Sequence, residues 1–146
     1  MSEPVRHPLG EFVFVPGTGS VHGWFEGTLR ATAAVELVVD TEDPNLARGV
    51  LDDVARERET GVLTDGSLIG RIVADLLDLA NEVWLDDDEQ ITARQFRNSL
   101  TLMRLTVDAE GVFGAIFHDD ADVFAGHGIE VIGTLAHGAT KASISG

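Results

Sequence analysis

The chain has 146 residues and a mass of 15.6 kDa, enough for one domain with a substantial core, and its 44% hydrophobic and 24% charged content excludes wholesale disorder. It has no Cys and no Tyr, which removes disulfides, thiolate metal sites, a cysteine nucleophile and phenol chemistry, and Lys141 is its one lysine. Twenty-five acids against ten bases leave a net charge of −15, a surface that repels nucleic-acid phosphates and anionic lipid, so nucleic-acid and membrane binding are not expected.

In chain order, Met1–Pro4 is polar and lacks the apolar core of a secretory leader. No stretch approaches the roughly 20 apolar residues of a bilayer span, so the chain reads as cytoplasmic. Three strands are predicted first: Phe12–Val15, Val21–Leu29 after the turn cluster Pro16–Ser20, and Ala33–Asp40. In the third, Ala33, Val35, Leu37 and Val39 share one face, with Ala34, Glu36 and Val38 on the other. The period then changes from two to 3.6. Asp43-Pro44 starts a helix whose inner side is Leu46, Val50, Leu51 and Val54, stopped by Gly61. A second helix is predicted from about Ser67 to Leu85, with Arg71, Asp75, Asp78 and Glu82 as its solvent stripe and Leu76, Leu77 and Trp84 in the core.

Asp86-Asp87-Asp88-Glu89 forms an acidic loop, and Thr92 with Gln95 has capping-box spacing for a short helix over 93–99. The period then returns to two. Met103, Leu105 and Val107 alternate with Arg104, Thr106 and Asp108; after the Ala109–Gly111 turn come Val112–Phe117, a loop at 118–123, a strand over about 124–135 and a last strand over about 139–145. The order βββ-αα(α)-ββββ predicts an α+β domain spanning 1–146. Its antiparallel, strongly twisted sheet has six or seven strands with the helices on one face, and hairpin pairing is favoured over βαβ crossovers.

The segment from Phe117 to Val131 carries Asp119, Asp120, Asp122, Phe124, Gly126, His127, Ile129 and Val131 at the spacing aromatic-x-Asp-Asp-x-Asp-x-Phe-x-Gly-His-x-Ile-x-Val. In this it resembles a family of small bacterial proteins defined as a domain of unknown function, and the layout of the rest of the chain is similar. It departs from that pattern at Ala125, where an aromatic residue is common. The resemblance implies no activity.

Asp119, Asp120, Asp122 and His127 are the candidate catalytic residues, and Asp120, Asp122 and His127 the candidate metal ligands, because hard divalent cations take oxygen ligands and transition metals accept imidazole. The simpler reading is architectural: aspartates bond turn amides, and His127, placed in a strand between Gly126 and Gly128, donates to one of them and anchors the loop. Gly17-Thr18-Gly19-Ser20 lacks the ending of a phosphate loop, and no nucleophile elbow or zinc-helix spacing occurs, so no cofactor is expected.

Residues 40–90 hold 15 acids and 4 bases, a net −11. Asp52, Asp53, Asp86, Asp87, Asp88 and Glu89 are therefore the candidate binding face for a basic protein, whose capture such a field accelerates. The preferred functional reading is a non-catalytic, immunity-type or inhibitor-like binding module. The alternative is a metal-dependent hydrolase using the Asp119/Asp120/Asp122/His127 cluster, and mimicry of DNA ranks third.

Overall fold

The computed structural model describes residues 3–30 and 35–145. Eight strands form one sheet in sequence order: β1 (Val5–His7), β2 (Gly10–Val15), β3 (Trp24–Thr28), β4 (Glu36–Asp40), β5 (Leu100–Asp108), β6 (Val112–Asp119), β7 (Gly128–Thr134) and β8 (Gly138–Ser145). Between β4 and β5 lie α1 (Pro44–Thr60), α2 (Asp65–Leu79), a π-helical turn (Ala80–Trp84), a 3-10 turn (Asp87–Glu89) and α3 (Ala93–Ser99). The class is α+β, as expected.

Local chemistry sets the helix ends. The Asp43 carboxylate accepts from the amides of Asn45 (2.8 Å) and Leu46 (3.4 Å), and Pro44 occupies the first turn. Thr92 and Gln95 close a reciprocal capping box at α3, at 3.1 and 2.8 Å.

Buried rows run across the sheet: Phe25, Val39, Val107 and Phe113 in one; Leu37, Leu105, Ala115, Val131 and Ala142 in the next; Leu102, Phe117 and Ile129 in a third. Val50, Leu51 and Val54 of α1, Leu68, Ile72 and Leu76 of α2 and Phe96 of α3 cover them. Each such side chain contributes about 1.5–3 kcal/mol by leaving water. On the other side of the sheet Val13, Val112 and Ile132 are exposed. Both sheet edges are tied to helices. Arg48 of α1 donates to the Arg6 carbonyl (3.2 Å), and Asp75 of α2 accepts from the Ala142 amide (2.8 Å), which blunts the edges against pairing with other chains.

Several expectations are corrected. The sheet has eight strands, not six or seven, because β1, three residues between Pro4 and Pro8, pairs with β2 through Val5 and Phe12. β4 and β5 pair in parallel, so the whole helical layer is one crossover; it is long enough to carry the chain back to the end where β4 began. Ala33 and Ala34 lie outside the described residues. Val38 is buried although it faces away from the helices. Met103 is the extra residue of a β-bulge between Leu102 and Arg104, which reverses the inward phase of β5 and leaves Met103 exposed. The predicted 124–135 strand begins only at Gly128. Leu46 is exposed, and Ala47 takes the inner position of α1.

The second helix departs most. From Ala80 its hydrogen bonds run i to i+5, as in Leu85 N–H to Ala80 C=O at 2.9 Å, and the extra residue rotates the next side chains off the core stripe. Leu76 is buried and Leu77 half-buried, whereas Val83 is 69% and Trp84 38% exposed. Among the described residues no helix is long and apolar enough to cross a membrane.

Candidate functional site

Asp119 ends β6 with its side chain 4% exposed, on the helix-covered side of the sheet. One carboxylate oxygen accepts from the Ser99 hydroxyl (2.9 Å) and the Ala121 amide (3.0 Å), and the other accepts from the Val123 amide (2.7 Å). The Asp120 amide donates to the Ser99 carbonyl (2.8 Å), so the end of α3 and the start of the loop form one bonded unit. A buried carboxylate so held is a structural anchor: losing it strands the buried Val123 amide, while the Ser99 hydroxyl would keep the Phe96 carbonyl (2.7 Å).

Above this anchor the loop takes a costly path. Asp122 and Ala125 have φ of +52° and +54°, and Gly126 has +85°. The left-handed region is tolerated by Asp but is unfavourable for Ala, at a cost of about 1–2 kcal/mol. His127 leaves the loop through a turn closed by its amide on the Phe124 carbonyl (3.1 Å) and is exposed. Its imidazole makes no hydrogen bond among the described residues; it stands edge-on to Trp84, ring centroids 6.0 Å apart. The anchoring role expected of His127 therefore belongs to Asp119, and His127 lies outside a strand.

Trp84 links the π-helical turn to this loop. Its ring meets Phe124 edge-to-face at 5.5 Å, and Phe124 meets Phe96 of α3 at 6.1 Å. The aromatic chain runs from the core at Phe96 to the surface at Trp84 and His127. Asn81, in the same turn, holds Ile91 with both ends of its amide, at 2.9 Å each, while Gln90 donates to the Asn81 and Asp86 carbonyls at 2.9 and 3.2 Å. The acidic segment 86–89 is thus clamped at its base.

A cleft of about 330 Å³ separates the two segments, lined by Leu85, Glu89, Ile91, Gln95, Ala121 and Val123. The structure brings the acidic segment and the Asp119–His127 loop together at one end of the molecule. It does not gather Asp119, Asp120, Asp122 and His127 around a common point: Asp119 faces inward on backbone amides, and Asp120 lies 3.3 Å from His118 on the surface. Among the described residues, the one group of three with ligand atoms all within reach of a single ion is Asp86, Asp88 and Glu89, all exposed. Crowded carboxylates of this kind are relieved by any cation, whether a metal or the side chain of a basic partner.

Asp52 and Asp53 stand elsewhere, on α1 over the β1 and β4 part of the sheet. Asp52 is bonded to His7 (2.8 Å) and Asp53 to Arg56 (3.1 Å). Hydrogen bonding to Asp53, then to Glu57, raises the Arg56 pKa above its ordinary value, so this patch is partly neutralised from within. The expected binding face is therefore two separate patches. The residues that sequence reasoning missed are Val83, Trp84 and Asn81. A polar Asn inside an otherwise apolar helical stripe was the available signal for the last.

One bacterial family, described as "Uncharacterized protein conserved in bacteria (DUF2262)", matches residues 9–144. The match covers nearly the whole chain, and the chain belongs to that family. No curated protein and no solved structure matches it.

Proposed function

We propose that this DUF2262 member is a non-catalytic binding module that captures a basic protein in the bacterial cytoplasm, in the manner of an immunity-type or inhibitor-like protein. The docking surface is the end built from Val83, Trp84, the acidic segment 86–89 and the 120–127 loop. The observation that carries this reading is the exposure of Val83 and Trp84 beside a clamped acidic segment. From Asn81 to Ala93 the sequence has five carboxylates and no Lys or Arg.

The chemistry suits protein recognition. Tryptophan is enriched among side chains that dominate binding energy, and a ring already packed on Phe124 loses little freedom when covered. The carboxylates form a rim that steers a basic partner and raises the association rate. A π-helical turn and non-glycine residues in the left-handed region are local departures that concentrate at functional sites, and here they adjoin.

The test is affinity capture from a bacterial lysate with three baits: the intact chain, Trp84→Ala, and the set Asp86→Asn, Asp87→Asn, Asp88→Asn, Glu89→Gln. A single basic protein retained by the first, about thirtyfold less by Trp84→Ala and in a salt-sensitive way lost with the second variant, is the expected result. Identical retention by all three baits rejects the surface.

A further inference from the structure

The face of the sheet away from the helices holds a second cleft, of about 390 Å³, whose lining includes Asp40, Asp108, Gly114, Ile116, Glu130 and Ile132. Its floor is Gly114 on the interior strand β6, paired with Thr106 on one side and Ile132 on the other. Glycine weakens a strand interior, so its presence there asks for a reason. Two other strand glycines have one within the fold. A Cβ on Gly27 would strike the Glu11 carbonyl, and one on Gly133 the Gly138 carbonyl.

Gly114 has no such reason. Its φ is outside the left-handed region, and a Cβ there would meet nothing nearer than Glu130 Oε2 at 3.9 Å. The space above it is bounded by Ile116 and Ile132 and lined by carboxylates from three strands, while Arg104, paired with Ile116, and Lys141, paired with Ile132, lie on the same face outside that lining. Asp40 holds His22 with one oxygen (2.7 Å), Asp108 uses one oxygen on the amides of Glu110 (3.0 Å) and Val112 (2.9 Å), and Glu130 has no partner among the described residues. Each therefore keeps an oxygen for an outside donor. Apolar walls with an anionic rim fit one ligand chemistry: an alkyl stem ending in a positive charge.

We propose that this cleft binds the head of a cationic alkyl chain, an ammonium or guanidinium whose methylenes lie across Gly114 between Ile116 and Ile132 and whose charge is received by Glu130, the carboxylate that lies over Gly114, within the field of Asp40 and Asp108. The site is on the opposite side of the sheet from the helices and stands independently of the docking end. It would accept a free amine or the side chain of a basic polypeptide, and the two sources differ only in the group at the far end of the stem.

The experiment is an NMR titration of the full, isotopically labelled chain with 1,4-diaminobutane, with agmatine and with a blocked Gly-Arg-Gly peptide; 1-butanol serves as the uncharged control. Saturable shifts at the amides of residues 106, 114, 116, 130 and 132 are expected with at least one cation. Tighter binding of the free amines identifies a small molecule, and tighter binding of the peptide identifies a protein side chain; either upholds the site. Gly114→Val fills the floor with a strand-favouring residue and should abolish the shifts while leaving the melting temperature unchanged or higher. Glu130→Gln should weaken binding about tenfold. No saturable shift with any cation, an equal response to butanol, or undiminished binding by folded Gly114→Val overturns the proposal. If Gly114→Val does not fold, Glu130→Gln decides, and unchanged affinity overturns it. Trp84→Ala should titrate as the intact chain does, so failure of this site is distinguishable from failure of the docking surface.

Discussion

Two connections on neighbouring strands are built from the same opening residue and end differently. Asp108 closes β5 and Asp119 closes β6, and each accepts two backbone amides from the turn after it. After Asp108 the chain turns in three residues, and Gly111 takes the left-handed conformation at φ +85° with no Cβ penalty. After Asp119 the chain runs eight residues before β7, places Asp122 and Ala125 in that same region, and is held from outside by Ser99 and by the Phe96–Phe124–Trp84 contacts. The first connection only joins two strands. The second keeps an unfavourable backbone that its surroundings over-determine, which holds the loop in one shape.

The largest expected effect breaks the second anchor. Asp119→Ala strands the buried Val123 amide and removes the acceptor of the Ala121 amide, and should cost about 2–3 kcal/mol in chemical denaturation, against about 1 kcal/mol for Asp108→Ala at the partly exposed turn. Equal costs would end the distinction between the two connections. The glycine test has opposite signs. Gly111→Ala should destabilise by about 1 kcal/mol, while Ala125→Gly should stabilise by about 0.5–1 kcal/mol through relief of the left-handed alanine. A destabilising Ala125→Gly would mean that the methyl group, not the backbone, matters there.

Removing the histidine should do less. His127→Ala is expected to change stability by under about 0.5 kcal/mol, because the exposed imidazole bonds to nothing among the described residues. A loss above about 1 kcal/mol would restore it as the anchor of the loop.

The smallest effect is a matter of pH. Burial pushes the Asp75 carboxyl up, but the Ala142 amide, Arg71 at 2.7 Å and Lys141 outweigh it and leave the pKa below the ordinary carboxylate value. A depressed folded pKa contributes stability above the unfolded value, and that contribution is lost as pH falls through the folded one. Asp75→Asn should therefore be less stable than the intact chain at about pH 7, and the gap should narrow below the normal carboxylate range. A gap that is constant with pH removes the charge from the account of the β8 edge.

What was legible in the sequence is what short-range chemistry decides. Asp43-Pro44 and the Thr92/Gln95 box start their helices where their spacing says they do, and the buried face of α1 follows from 3.6 periodicity apart from Leu46. Each miss comes from one inserted or misread residue. Met103 adds one residue to β5, and the π-helical turn adds one after Ala80; both shift a periodic pattern that remains apolar on either phase. Phe124 reads as the start of a strand because it is apolar and aromatic, yet it stays in the loop, which Asp119 holds through the amide of the preceding Val123. Within the signature segment the architectural reading of the aspartates holds at Asp119, which bonds two loop amides, whereas His127 is exposed and anchors nothing among the described residues.

The most direct test of the docking end is photo-crosslinking in bacterial cells with benzoylphenylalanine at position 83, beside Trp84, compared with position 46 on α1, where the side chain is also exposed. A discrete adduct with one basic protein from position 83, absent from position 46 and lost when Asp86, Asp87, Asp88 and Glu89 are neutralised together, is the predicted result. Adducts that are the same at both positions, or that survive the neutralisation, would contradict the account.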